Sequence, residues 1–195
     1  MDSKTFLEIM SLQRHDFLNH LQVISGLVQL NKADRVKEYI KQVSTEMEKM
    51  SRISCLRVPE AALALLLGNC LAEKYQVKVV YDISTNIDHC SVPGEILGEV
   101  IGEAFGQSLE CHVSSGLTDN LMKISIARSE NKYQLRILFP EPPCGVADTA
   151  RCRLAVSGRK LVAHGGEVGV VVSGSCGEVF ITLPCKLPEQ DSFGT

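Results

Sequence analysis

The stretch RHDFLNHLQVISGLVQL, residues 14–30, combines an apolar stripe with a compact polar cluster. Phe17, Leu21, Ile24 and Val28 recur at spacings of four and three, which predicts an amphipathic helix with a coiled-coil seam. Arg14, His15, Asp16, Asn19 and His20 gather at its start. His15 and Asn19, four residues apart, stack on one face, with Asp16 about 100° around the helix and Gln22 further along. This face is not the seam. A histidine there projects outward with one ring nitrogen available and its orientation set by polar neighbours, which makes it a candidate nucleophile near neutral pH. His20, at i+5, falls on a different face.

Toward the N-terminus, Leu7 and Met10 extend the seam, which Arg14 breaks once. Toward the C-terminus, NKAD at 31–34 interrupts the apolar pattern, and Asp34 is the expected N-cap of a second helix. That helix carries Val36, Ile40, Val43, Met47 and Met50 amid charged residues. Two such helices cannot bury both stripes against each other, whereas two hairpins packed as a four-helix bundle can. The expectation is a homodimer.

Pro59 marks the end of this module, because proline is tolerated at a helix start and disrupts an interior. Beyond it the pattern predicts a helix at 59–74, a strand at 77–83 and a helix at 93–110. A hairpin of strands follows, NLMKISIARS and KYQLRILF, then a helix at 149–163 and the strands EVGVVVS and EVFITLP. This order suits a mixed sheet with helices on one face. The expected division is 1–57 for the helical hairpin, 58–187 for the α/β domain and 188–195 for a frayed polar tail.

Composition narrows the class. Of 195 residues, 45% are hydrophobic and 5% aromatic, with no Trp, which fits a globular chain with an aliphatic core. The net charge of -3, with basic residues scattered, argues against a nucleic-acid partner. No apolar run approaches the ~20 residues that span a bilayer, and the start MDSKTFLEIM lacks the features of a secretory signal. No membrane association is expected, and a cytoplasmic location is. The eight cysteines form no C-x-x-C pair and mostly lie in apolar segments, so they are expected to be reduced core residues rather than disulfides or zinc ligands.

The run R-H-D-x-x-N-H-L-Q-x-I-x-G-L, matched at Arg14, His15, Asp16, Asn19, Leu21, Gln22 and Gly26, resembles the phosphoacceptor box of the sporulation initiation phosphotransferase B family and its citrate-sensor-type histidine kinase relatives. LNKADRVKEYI resembles that family's turn and second helix. HGGEVGVVVSGSCGEVFITLP resembles the end of the ATP-binding fold shared by histidine kinases. The resemblance implies an α+β chain: a helical hairpin forming a dimeric four-helix bundle, followed by a histidine-kinase ATPase-like α/β sandwich. It also implies that His15 is the phosphorylated residue. Asp16 would bond the ring or take a proton, Asn19 would hold a phosphoryl oxygen, and Arg14 would offset phosphoryl charge.

An active kinase of this fold needs an Asn-bearing helix to hold Mg²⁺ and an Asp-x-Gly-x-Gly loop for adenine. By resemblance, the asparagine positions fall at Glu103 and Gln107, and the adenine loop at PEPPCG, where Glu141 is the only acid and two prolines replace the glycines. The next loop, GVADTARCRLAVSG, has no Gly-x-Gly, and Gly165/Gly166 read as a helix stop. The expectation is a degenerate ATPase-like domain with no tightly bound cofactor. Phosphoryl groups would move between response-regulator receiver domains through His15, in a sporulation relay, with Mg²⁺ supplied by the receiver. The alternatives are a soluble sensor-type histidine kinase that autophosphorylates from ATP, and a non-catalytic dimer that binds a response regulator.

Overall fold

The computed structural model describes residues 3–116, 120–143, 145–173 and 176–186. Expectations for the tail at 188–195 lie outside these residues. Cα packing separates two units, Met1–Ser51 and Arg52–Thr195.

The first unit is a helical hairpin. α1 runs unbroken over Ser3–Gln29 and α2 over Ala33–Ser54, whose last residues belong to the second unit. The turn between them is a Schellman cap. Asn31 takes a left-handed φ of 52°, its N–H donates to the Val28 carbonyl (2.9 Å), and the Lys32 N–H donates to the Leu27 carbonyl (3.0 Å). The Val36 N–H donates to the Lys32 carbonyl, so Lys32 holds the cap position of α2. Asp34 is not the N-cap. It sits inside the first turn, where a carboxylate still opposes the positive end of the helix and faces Lys37 at 3.8 Å.

Within one chain the seam stays open. Phe17, Leu21, Val28, Ile40 and Met47 are exposed, Val28 to 57%, while Ile24, Val36, Val43 and Met50 are half-buried.

The second unit stacks three helices on one sheet. Its order is α3 (Pro59–Lys74), β1 (Lys78–Ile83), α4 (Gly94–Ser114), β2 (Leu121–Ser129), β3 (Lys132–Pro140), α5 (Val146–Val162), β4 (Glu167–Ser173) and β5 (Cys176–Pro184). The sheet is mixed, ordered β1-β2-β3-β5-β4, with β1 parallel to β2 and every other pair antiparallel. Period-two alternation sends Met122, Ile124 and Ile126 of β2, Tyr133, Leu135, Ile137 and Phe139 of β3, and Val179, Ile181 and Leu183 of β5 into the core. Lys123, Gln134 and Arg136 point to solvent. α4 is the central helix, packed between α3 and α5 and over β3. Its Phe105 is fully buried, and a Cβ on Gly68 of α3 would overlap the Phe105 ring, so the two helices meet at that glycine.

Three element ends differ from the sequence reading by two residues or more. α4 continues past Glu110 to Ser114 because Cys111 and His112 prolong its buried face. α5 begins at Val146 rather than 149, since Gly145 at φ 86° turns the chain directly into the helix. β5 starts at Cys176, two residues early, paired with Pro140 and Ser173. α5 stops as the Gly-Gly pair predicts. Gly165, at φ 79°, donates to the Val162 carbonyl and Gly166 to that of Leu161.

The cysteines only partly follow expectation. Cys111 and Cys185 are buried, Cys70 and Cys90 are half-buried, and Cys55, Cys152 and Cys176 are exposed. No disulfide joins these seven, and Cys144 lies outside the described residues. Cys152 is exposed because α5 turns only one stripe inward, through Ala150, Leu154, Gly158 and Leu161. No helix among the described residues is long and apolar enough to cross a membrane.

Candidate functional site

α1 presents His15 to solvent, its side chain 71% exposed. The Asn19 side-chain amide, one turn along, stands 3.1 Å from Nδ1 of the ring, and Asp16 Oδ1 stands 3.7 Å from the same nitrogen. Both neighbours therefore address one edge of the imidazole. The Asn19 atom nearest the ring is Nδ2, whose N–H donates to Nδ1 in the Nε2–H tautomer; with the amide flipped, its oxygen accepts from the Nδ1–H that the Asp16 carboxylate favours. Only in the second arrangement does Nε2 keep its lone pair, on the ring edge away from Asn19 and Asp16. Asn19, expected to hold a phosphoryl oxygen, stands with its amide nitrogen against the ring. Arg14 is exposed at the adjacent position, with no ion pair among the described residues.

His20 is engaged elsewhere. Its Nδ1 lies 2.9 Å from the Tyr39 hydroxyl of α2, and the two rings are tilted with centroids 5.9 Å apart. Sequence reasoning missed this contact, because the pairing of a residue on α1 with one on α2 depends on hairpin register, which no local spacing encodes. His15 and His20 thus have opposite surroundings: one ring open to solvent, one clasped between helices.

In the second unit, Glu103 and Gln107 come together on α4 and Glu141 does not join them. Gln107 is only 6% exposed, and its amide donates to Glu103 Oε1 (3.1 Å) one turn back on the same helix. Glu141 is exposed in the connection 141–145 between β3 and α5. That connection is short, with Pro142 buried and Pro143 followed closely by the helix. Two ion pairs span α4 and α5, Glu99 to Lys160 at 2.7 Å and Glu110 to Arg153 at 3.1 Å. All four side chains are about half exposed, so each pair contributes at most about 1 kcal/mol.

Comparison with known proteins agrees with both units. Residues 1–56 match the family described as Sensor kinase SpoOB-type, alpha-helical domain. Over 167 residues, 84% of the chain, the sequence is 28% identical to a probable C4-dicarboxylate sensor kinase of Bacillus subtilis (strain 168), of which it covers 31%. Over 63 residues, 32% of the chain, it is 35% identical to the sporulation initiation phosphotransferase B of the same organism, of which it covers 33%. The chain thus spans about a third of each of these relatives. Among solved structures, the catalytic domain of histidine kinase ThkA superposes with a TM-score of 0.52 at 11% identity, covering 65% of this chain and 92% of that one. That likeness shows the fold of the second unit. In its helical segment the chain is similar to the SpoOB-type family and to a sporulation initiation phosphotransferase B, and over most of its length to a probable sensor kinase.

Proposed function

We propose that this chain is a phosphorelay histidine phosphotransferase that moves a phosphoryl group between receiver-domain aspartates through His15. The observation that carries the reading is the one-sided environment of that ring, with Nδ1 faced by Asn19 and Asp16 and the side chain 71% exposed. The Nε2 lone pair attacks the phosphorus of an aspartyl phosphate. The bond from phosphorus to the carboxylate oxygen breaks, and the carboxylate leaves with the electron pair. The ring, now carrying phosphorus on Nε2 and a proton on Nδ1, is cationic, and Asp16 offsets its charge. In the second transfer a receiver carboxylate attacks, the N–P bond breaks, and the pair returns to Nε2. Arg14 faces the incoming phosphoryl oxygens as a fixed cation. Mg²⁺ belongs to the acidic pocket of the receiver, and the contribution of this chain is positioning. The exposed seam of α1 and α2 supports a homodimer through a four-helix bundle, and the role in sporulation follows the phosphotransferase relative. The site would operate in the cytoplasm, where receiver domains are found.

A second reading, autophosphorylation from ATP, is favoured by the match to a sensor kinase over most of the chain. One comparison separates the two: purified protein incubated with radiolabelled Mg-ATP alone, or with a receiver carrying labelled aspartyl phosphate. Label acquired only from the receiver supports the phosphotransferase. Label acquired from ATP alone rejects it in favour of the kinase.

A further inference from the structure

Two cysteines meet across the second unit. Cys90, in the loop between β1 and α4, and Cys185, just past β5, form an isolated antiparallel bridge. Its hydrogen bonds run from the Ser91 N–H to the Pro184 carbonyl (3.4 Å) and from the Lys186 N–H to the His89 carbonyl (2.8 Å). These donors and acceptors flank the cysteines rather than belong to them, so Cys90 and Cys185 are a non-hydrogen-bonded pair. Such pairs place Cα atoms about 4.5 Å apart with both side chains on one face. That spacing falls inside the roughly 4.4–6.8 Å that a disulfide requires.

The surrounding backbone fixes the pair. The Cys90 N–H donates to the Ile87 carbonyl (3.1 Å), and the Cys185 N–H donates to the Asn131 carbonyl in the β2–β3 turn (2.9 Å). Cys90 is half-buried and Cys185 is 8% exposed. Burial pushes the Cys90 thiol up, a Val92 N–H draws it down, and Cys185 adds a further rise, an electrostatic coupling expected of neighbouring thiols.

We propose that Cys90 and Cys185 are a redox modification site, closing to a reversible disulfide that ties the β1–α4 loop to the end of β5. The oxidant is a small-molecule disulfide. The more accessible Cys90, as thiolate, attacks one of its sulfurs; the S–S bond breaks and one thiolate leaves, taking up the proton that Cys90 released. Cys185, as thiolate, then attacks Cys90 Sγ in the mixed disulfide, and the second small thiol departs with the second proton. The protein loses two hydrogens and the oxidant becomes two thiols.

The test treats the full chain with excess oxidised glutathione, quenches with an alkylating agent, and maps cysteines by mass spectrometry of a non-reducing digest. The expected product is a peptide pair joined through Cys90 and Cys185, two hydrogens lighter than the separate peptides and separated by dithiothreitol. The link persists in the C55S/C152S/C176S variant, which removes the exposed thiols, and is lost in C90S. Recovery of Cys90 and Cys185 as separate glutathione adducts, or as alkylated free thiols while Cys152 has reacted, overturns the proposal.

Discussion

Asn19 and His15 are joined along α1, amide to Nδ1, at 3.1 Å. The contact costs the helix nothing in geometry, since residues four apart are neighbours on its surface. It fixes the ring about χ2 and leaves the opposite nitrogen outward. Removing the amide should therefore affect transfer more than folding. In Asn19→Ala, the rate of phosphoryl uptake from a phosphorylated receiver should fall about 10- to 100-fold, as expected for lost positioning. Helix content by circular dichroism should be unchanged, because alanine is the better helix former. Rapid-quench measurement of the phosphorylated fraction checks it.

Asp16 should govern which nitrogen carries the proton. With the carboxylate 3.7 Å from Nδ1, the neutral ring of His15 should be predominantly the Nδ1–H tautomer. Asp16→Asn should raise the share of the Nε2–H form and slow uptake with it. Long-range ¹H–¹⁵N correlation of the imidazole reads the tautomer directly. An Nε2–H tautomer already dominant in the unmodified chain would contradict the assignment.

The clasp between His20 and Tyr39 predicts a different phenotype. Tyr39→Phe deletes a hydroxyl that stands 2.9 Å from His20 Nδ1, and should cost about 1 kcal/mol of stability by chemical denaturation. Phosphoryl uptake at His15 should stay within about twofold of the unmodified chain, since a hydrogen bond on another face does not position that ring.

Gly68 and Phe105 give the sharpest packing prediction. A Cβ at Gly68 overlaps the buried Phe105 ring, so Gly68→Ala should destabilise the second unit by about 1–3 kcal/mol despite the better helix propensity of alanine. Urea unfolding monitored by circular dichroism measures the loss. Leu97→Ala, at a fully buried position on α4, serves as a cavity comparison at about 2–5 kcal/mol.

Much of the architecture was legible in the sequence because its periodicities are unambiguous. The 3-4 spacing of Phe17, Leu21, Ile24 and Val28 cannot be satisfied by a strand, and the alternation in KYQLRILF cannot be satisfied by a helix. Ends were less legible. Asp34 has the chemistry of an N-cap, yet the Schellman cap at Asn31 sets where α2 begins, and Lys32 takes the position. Gly145 brought α5 forward by three residues through a left-handed φ that composition alone does not assign. The box around His15 could be read because its members are local, one turn apart. The contacts of His20 with Tyr39, Gln107 with its burial, and Cys90 with Cys185 required the register of elements distant in sequence. That register is set by the whole core.

The seam of α1 and α2 makes its own demand. Phe17, Leu21 and Val28 remain exposed in one chain, a stripe that a second hairpin would cover. Light scattering at micromolar concentration should give twice the monomer mass, and Leu21→Glu should return the monomer mass by placing a charge in the bundle interior.

The central claim is that His15 itself carries the phosphoryl group, received from a receiver aspartate. Its most direct measurement is site localisation: react the chain with a phosphorylated receiver, separate the two without acid, and sequence the modified protein by electron-transfer fragmentation. A phosphoryl group on His15, absent in His15→Ala, is the predicted result. A phosphoryl group on His20 or another residue, with His15 unmodified, would contradict it.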